Sequence, residues 1–360
     1  MRALLFLCAA LAAAGCTTAS AQPPPGPGRP GGGPPAPKPP AAAAPCRKPI
    51  AAEWPEGEAR HLRHVRRLTT EGRNGEAYFS RDGQRVIFQS IRGASPYYQM
   101  YVMNADGSDQ KMISSGRGKC TCGFFAPKGK KLIYASTQAD PQAFDPAKDQ
   151  APPEPPRGHG SYAWDFDPAM DIFEADLDGK NARRLTTTPG YDAEGAYSPD
   201  GKKIVFTSQR DGDLELYVMN ADGSQPRRLT KTPGYDGGAF FAPDGKAIVF
   251  RAFRGDGRTA EIFLIDVDGK NERQLTRLGF VSWAPYWHPD GRSIIFASNP
   301  EGSRNFELYL MKRDGTALER VTYTDGFDGL PSFSADGKRL LWTSSRGGGP
   351  PQVYVADWVE

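Results

Sequence analysis

The chain has 360 residues, of which 38% are hydrophobic, so it is long enough to bury a sizeable core. Its 41 glycines and 33 prolines are too many for a helical protein and favour short strands joined by turns. The 45 basic and 42 acidic residues give a formal net charge of +3 without any long run of like charge. This balance argues against a nucleic-acid partner.

The first sixteen residues have the features of an export signal. Arg2 precedes an apolar stretch from Ala3 to Ala14, which is too short for a permanent membrane span. The segment that ends in Gly15 and Cys16 resembles a bacterial lipoprotein signal, in which the cysteine is lipidated after cleavage. The alternative is ordinary secretion with cleavage near residues 19–21. In either case we expect an exported protein, periplasmic or, with lipid on Cys16, attached to the outer membrane.

A linker with few apolar residues follows the signal, over residues 17–60. Between Pro23 and Pro45 it consists almost wholly of proline, glycine and alanine, which favours extended conformations and a tethering role. Beyond the signal three cysteines remain, Cys46, Cys120 and Cys122. One disulfide from Cys46 is possible, and buried free thiols are the alternative. Cys120 and Cys122 stand two apart in a predicted strand, so we expect them on one face.

A unit of turn and strand recurs six times after residue 80. Each copy has an Asp-Gly-like turn followed by an apolar triplet such as Ile204-Val205-Phe206. The turns begin at Asp82, Lys128, Asp200, Asp244, Asp290 and Asp336, with spacings of 46, 72, 44, 46 and 46 residues. Repeats of this length with strands and tight turns are typical of propeller blades. The sequence therefore predicts an all-β fold, a six-bladed β-propeller.

The ends of the chain complete the count of strands. Five of the six copies lead to a short outer strand such as Arg228-Leu229-Thr230, whereas the sixth lacks one. An unmatched Arg67-Leu68-Thr69 stands before the first copy. We therefore predict that this N-terminal strand completes the C-terminal blade, with Leu68 hydrogen-bonded into the sheet of Trp342 and Tyr354. The predicted propeller domain covers residues 61–360.

The repeated strings resemble a known family. Tyr197 to Gly201, Leu216 to Gly223 and Arg227 to Thr230 are similar to the WD-like repeat of TolB-type propellers. The resemblance covers most of residues 65–358 and implies a six-bladed propeller of a kind used by exported bacterial proteins. TolB proteins also have an α/β domain ahead of the propeller, where this chain has the signal and linker.

Two columns of polar residues are predicted at one end of the propeller. At this end, which we call the mouth, loops from outer to inner strands meet loops between second and third strands. The first column is Asn74, Cys120, Asp192, Asp236, Ser282 and Asp328, with Glu76 and Glu194 two positions on. The second column is Arg92, Arg210, Arg254 and Arg346.

The columns allow two interpretations. An acidic funnel could bind a basic segment of a partner, or hold a divalent cation through Asp192, Asp236, Asp328 and Glu194, because hard cations prefer oxygen ligands. Alternatively, the aspartates and arginines pair blade by blade. Because both columns repeat with the fold, the sequence favours pairing and no cofactor.

The spacing of 72 residues marks an insertion in the second blade, at about residues 138–171. It contains Tyr162, Trp164 and Phe166 alternating with Asp165 and Asp167. Long loops in compact domains are commonly functional or disordered. These rings would form either a platform for a sugar or peptide, or a plug over the channel.

Function is predicted from the mouth. The chain has four histidines and no Gly-x-Ser-x-Gly motif, so the sequence favours a protein that is not an enzyme. We expect a monomeric envelope protein that binds a protein or peptide at the mouth, through Asp192, Glu194, Asp236, Asp328, Glu76, Arg210, Arg254, Tyr162, Trp164 and Asp165. The alternative is a carbohydrate-binding or carbohydrate-active propeller, a lyase or hydrolase.

Overall fold

The structure is a computed structural model that describes residues 56–150, 166–255 and 257–360. The predicted signal with Cys16, nearly all of the linker, and Cys46 lie outside the described residues. So do Tyr162, Trp164 and Asp165 of the insertion. The boundaries proposed for the signal and linker therefore stay predictions. Within the described residues no helix is both long enough and apolar enough to cross a bilayer.

Six antiparallel sheets of four strands each form the blades. The first strands lie around the central channel: β2 Arg73–Phe79, β6 Cys120–Phe125, β10 Asp192–Tyr197, β14 Tyr235–Phe241, β18 Trp283–Trp287 and β22 Asp328–Phe333. The second strands are β3 Arg85–Ile91, β7 Lys131–Ser136, β11 Lys203–Ser208, β15 Ala247–Phe253, β19 Ser293–Ser298 and β23 Arg339–Ser344. The third strands are β4 Gln99–Asn104, β8 Asp171–Asp176, β12 Glu215–Asn220, β16 Ala260–Asp266, β20 Glu307–Lys312 and β24 Gln352–Trp358. The outer strands are β1 Leu62–Arg67, β5 Lys111–Met112, β9 Arg183–Arg184, β13 Arg227–Arg228, β17 Arg273–Gln274 and β21 Glu319–Arg320.

The first strand of the chain closes the ring, as predicted. Strand β1 pairs with β24, and the amide of Leu68 donates to the carbonyl of Val353 at 2.8 Å. Trp342 and Tyr354 face each other in the same sheet, so the closure by the N-terminal strand is confirmed. A short 3₁₀ helix, Glu58–Arg60, precedes β1.

The apolar triplets form the core between neighbouring blades. Ile204, Val205 and Phe206, for example, are fully buried in β11, and the other five triplets are buried in the same way. Strands that are apolar on both faces suit a sheet covered on both sides by its neighbours. This is why the second strands are predictable as uninterrupted apolar runs rather than alternating ones.

A hydroxyl residue after each outer strand ties it to the third strand. Its side-chain oxygen accepts a hydrogen bond from a backbone amide of the third strand. The amide of Leu308, for example, donates to the hydroxyl of Thr322 at 2.8 Å. The same bond occurs at Thr69, Ser114, Thr186, Thr230, Thr276 and Thr322. In three blades the hydroxyl also donates to a buried carboxylate, as Thr322 does to Glu307 at 2.6 Å. These bonds explain why threonine recurs in the Arg-Leu-Thr strings.

Candidate binding site at the mouth

The two predicted polar columns pair with each other within each blade. Arg210 contacts Asp192 at 3.0 Å, Arg254 contacts Asp236, and Arg346 contacts Asp328 at 2.6 Å. In the first blade Arg92 donates to the side-chain oxygen of Asn74 at 2.8 Å. We call these four pairs the latch. The three aspartates are at most 1% exposed, so their contacts lie inside the blades rather than in the channel.

The three aspartates lie in three different blades. Each of Asp192, Asp236 and Asp328 faces its own arginine, and the described residues contain no group of three or more His, Cys, Asp or Glu placed to hold a metal ion. Burial raises the pKa of Asp192 and Asp328, and the neighbouring arginine opposes the shift. Such pairs fix the loops at the mouth, because both charges are already satisfied by protein groups.

The second and fifth blades have neutral residues in place of the latch. Ser282 contacts Ser298 at 3.1 Å in the fifth blade, and the thiol of Cys120 contacts Ser136 at 3.3 Å in the second. The expectation that Cys120 and Cys122 share one face of a regular strand is wrong. The pairing of β6 with β7 shifts register between Thr121 and Phe124, and Cys122 has a φ of 53°, so a bulge breaks the alternation.

Each first strand, the one that lies at the central channel, has a bulge at the same position. The residues at the six bulges have φ between 48° and 59° and form a ring around the channel: Glu76, Cys122, Glu194, Gly238, Ala284 and Leu330. We call them the bulge ring. All six line one cavity of about 320 Å³, which we call the mouth chamber. Pro96 to Tyr98 and Lys119, from loops at the mouth, line it too.

Glu194 is held by a network of buried partners. Arg251 contacts it at 3.2 Å, the hydroxyl of Tyr235 and the amide of Gly238 donate to it, and Tyr191 lies at 3.3 Å. Burial would raise the pKa of Glu194, but the charge of Arg251 and these hydrogen bonds lower it below the usual value. Glu194 is therefore an ionised and fully engaged carboxylate.

Glu76 occupies the equivalent position in the first blade without such partners. It is half-buried, and the hydroxyls of Tyr78 and Thr121 approach its carboxylate at only 3.4 and 3.5 Å. Burial raises the pKa of Glu76 to about 7, the charge of Glu194 adds to this, and a hydrogen bond with Cys122 opposes it. The pKa of Cys122 is raised well above its usual value by burial and by the two glutamates.

Aromatic rings form the floor of the mouth chamber. Tyr78, Phe124, Phe240 and Tyr286 pack across the channel, with ring centroids 4.8 to 5.9 Å apart. Phe124 and Phe240 also line a second cavity of about 390 Å³ toward the opposite end. The rings thus lie between the two cavities, and the mouth chamber is a pocket with an aromatic base.

The described end of the insertion packs onto the mouth. Phe166 contacts the rings of Tyr191 and Tyr235 at 5.3 and 4.9 Å, and Asp167 pairs with Lys119 at 2.8 Å. These contacts fit the plug interpretation for Phe166. Because Tyr162, Trp164 and Asp165 lie outside the described residues, the platform interpretation stays a prediction for them.

Sequence reasoning missed two charged residues that organise this end. Glu58, in the 3₁₀ helix, is fully buried and contacts Arg346 at 3.0 Å, so it joins the latch of the last blade. Arg251 is the partner of Glu194. The sequence does offer a hint of Arg251, because it is a single charged residue inside the apolar run from Ile248 to Phe253. The sequence offers no such hint for Glu58, because it lies outside the repeats.

Comparisons with known proteins agree on the fold. The family model for the TolB beta propeller domain matches residues 255–359, and that for the Tricorn protease N-terminal beta propeller domain matches residues 165–276. The chain is 28% identical to the Tol-Pal system protein TolB of Bordetella pertussis over 150 residues. This match covers 37% of the chain and 34% of that relative, so the chain spans about a third of the relative's length.

Solved structures give the same result. The crystal structure of TolB from Acinetobacter baumannii matches with a TM-score of 0.58 at 23% identity, covering 78% of this chain and 65% of that one. A TolB-type protein of Agrobacterium tumefaciens matches with a TM-score of 0.59 at 21% identity, covering 82% and 94%. An oligogalacturonate lyase of Vibrio parahaemolyticus shares the fold with a TM-score of 0.51 at 14% identity, covering 81% and 93%. At these identities the structural matches concern the fold.

Proposed function

The chain is a TolB-like six-bladed β-propeller, and we propose that it binds a protein or peptide of the cell envelope at its mouth, without catalysis. The mouth chamber is the observation that carries this proposal. It combines aromatic rings with a few convergent polar groups, the composition that binding pockets share. Because one fold hosts many functions, the proposal rests on this chamber rather than on the propeller itself.

The described walls of the mouth chamber suit a peptide or a protruding loop. Tyr97 and Tyr98, on the loop between β3 and β4, are half-buried, and Lys119 on the next loop is held by Asp167. Tyrosine gives a large contact area at a low cost in side-chain entropy. The latch fixes the neighbouring loops, so this surface is formed before a partner binds.

The envelope location rests on the sequence of the first residues and on the relatives. Residues 1–16 have the features of a lipoprotein-type signal, and the Bordetella relatives are named as Tol-Pal system proteins. We propose that Cys16 carries lipid and that the linker between Cys16 and Glu58 tethers the propeller to a membrane. Mass spectrometry of the mature N-terminus tests this directly: an unmodified N-terminus after Ala19 or Ala21 would contradict it.

Capture of envelope proteins by the full-length protein tests the binding role. We expect the double variant Tyr97→Ala and Tyr98→Ala to lose the captured protein, because it removes two aromatic walls of the mouth chamber. The matched control is Leu318→Ala, which removes an exposed apolar side chain from a turn at the opposite end. If the double variant and the control capture the same protein equally well, the mouth is not the binding site.

A carbohydrate ligand is the second candidate. Tyr97, Tyr98 and Trp283 line the mouth chamber together with Gln89 and Lys119, and aromatic faces beside polar groups are suited to sugar rings. Binding on a glycan array, or cleavage of a glycan, that disappears in the Tyr97 and Tyr98 double variant would favour this candidate. Loss of a captured protein without any glycan signal would favour the first.

A further inference from the structure

We propose that the mouth chamber receives one cationic side chain, a lysine or an arginine, of the bound protein or peptide, and that Glu76 is its counter-ion. This inference rests on the proposed function and adds the chemistry by which the partner is recognised. The pairing of charges in the mouth chamber and the aromatic floor support it independently.

The charged side chains of the mouth chamber are paired, with the exception of Glu76 among the described residues. Glu194 is neutralised by Arg251 at 3.2 Å, and Lys119 is neutralised by Asp167 at 2.8 Å. Glu76 has no ion pair with any described residue, and the hydroxyls of Tyr78 and Thr121 lie 3.4 and 3.5 Å from its carboxylate oxygens. When Glu76 is ionised, it is the charged group without an ion pair in the described lining of the chamber. A buried charge without a partner is costly, so a bound cation would relieve that cost.

Among the described residues, the other groups around Glu76 do not supply this cation. Tyr78, Tyr98 and Cys122 are uncharged at neutral pH, since burial raises the pKa of each of them above its usual value. Glu194 adds a negative charge, and Arg251 is engaged by Glu194 and stacks on Tyr235 at 4.4 Å. The charge of Arg251 also acts on Glu76, but its ion pair is with Glu194.

The aromatic floor of the mouth chamber also suits a cationic side chain. Tyr78, Phe124 and Phe240 line the mouth chamber, and ring faces attract organic cations. The same chain already stacks cations on rings elsewhere, as with Arg210 over Tyr217 at 4.9 Å. The long aliphatic stem of lysine or arginine also suits apolar walls. A hard metal ion, in contrast, needs several oxygen ligands, and Glu76 is the carboxylate of the bulge ring without a cation.

A titration with two defined peptides tests the proposal. The probes are acetyl-Gly-Arg-Gly-amide and its citrulline analogue, which keeps the shape of arginine without the charge, followed by NMR on the full-length protein. We expect the arginine peptide to shift signals of the mouth chamber and the citrulline peptide to leave them in place. Affinity should rise about tenfold from about pH 6 to about pH 8, because Glu76, with a pKa of about 7, must be ionised.

Two variants separate Glu76 from long-range electrostatics. Glu76→Gln should abolish both the binding of the arginine peptide and its pH dependence. Asp325→Asn removes the same charge from an exposed position in a mouth loop and should leave both unchanged. Equal binding of the two peptides, or an unchanged affinity in Glu76→Gln, would overturn the inference. Binding of Ca²⁺ or Mn²⁺ that needs Glu76, without any peptide binding, would overturn it as well.

The failure of this inference is distinguishable from that of the proposed function. If an envelope protein is captured through Tyr97 and Tyr98 but Glu76→Gln captures it equally well, the mouth binds a partner without a cation in the chamber. If no protein is captured and no glycan binds, the proposed function itself fails.

Discussion

The latch and the bulge ring occupy the same inner strands, two residues apart, yet they differ in what their residues do. Asp192 and Glu194 both belong to β10, but Asp192 pairs inside the blade whereas Glu194 lines the mouth chamber. The latch repeats with nearly the same chemistry in four blades, whereas the bulge ring carries five residue types at six equivalent positions. Residues that repeat with the fold maintain the blades, and residues that vary around the ring give the chamber its individual chemistry.

Breaking the latch should have the largest effect on stability. Arg346→Ala leaves the carboxylates of Asp328 and Glu58 buried without their cation, so we expect unfolding to become easier by about 3 to 5 kcal/mol. Chemical denaturation measures this change. The control Arg183→Ala removes an exposed partner of Glu174 and should cost at most about 1 kcal/mol. Similar losses in both variants would mean that the latch does not stabilise the fold.

The threonines after the outer strands should give the next largest effect. Thr322→Val keeps the shape of the side chain but removes the hydrogen bonds to Leu308 and to the buried Glu307. We expect a loss of about 1 to 3 kcal/mol in the free energy of unfolding, because buried polar groups are left without a partner.

The control for this prediction is Thr316→Val, whose hydroxyl donates to Asp314 in an exposed turn. It should change the free energy of unfolding by about 0.5 kcal/mol or less. If the two threonine variants have equal stability, the buried hydroxyls are not what holds the outer strands.

Glu76 of the bulge ring should make the stability of the protein depend on pH. Because the pKa of Glu76 in the folded protein is about 7, above its ordinary value of 4.5, the folded state binds this proton more tightly than the unfolded state. The stability that Glu76 contributes is therefore complete below about pH 4.5 and is lost as the pH rises through about 7. Thermal unfolding of wild type and Glu76→Gln between these values measures it.

The expected result is a melting temperature that falls more steeply with pH in the wild type than in Glu76→Gln. Glu307 has a similarly raised pKa and contributes the same slope to both proteins, so the difference between them isolates Glu76. Parallel curves would show that Glu76 titrates at its ordinary pKa and that the mouth chamber does not bury it.

The contrast between latch and bulge ring also explains how far the sequence could be interpreted. The six blades and the closing strand were predictable, because apolar triplets and turns recur and Leu68 had no other place in the count. The latch was predictable as one of two alternatives, since both of its columns recur. The six bulges could not be predicted, because five of the six residues with left-handed backbone conformation are not glycine.

Contacts outside the repeats were the least predictable. Glu58 reaches Arg346 across 288 positions of the chain, and this pair forms only when the ends of the ring meet. In the same way, the pairing of Glu194 with Arg251 joins two neighbouring blades. A repeat pattern describes each blade separately, so contacts between specific residues of different blades need the structure.

The smallest effect should be on the reactivity of Cys122, the neighbour of Glu76 in the bulge ring. Burial comes first in raising the pKa of this thiol, and the negative charge of Glu76 comes second. Because the thiolate is the reactive form, Cys122 should react with iodoacetamide more slowly than an exposed cysteine in mildly alkaline buffer. In Glu76→Gln the charge is absent, so the rate at Cys122 should rise a few-fold.

The rate at Cys120, whose thiol contacts Ser136 and Gln99, should not change. Mass spectrometry of the two labelled positions measures both rates. An equal rise at the two cysteines would indicate general loosening of the second blade, and no rise at Cys122 would mean that Glu76 does not act on its neighbour in the bulge ring.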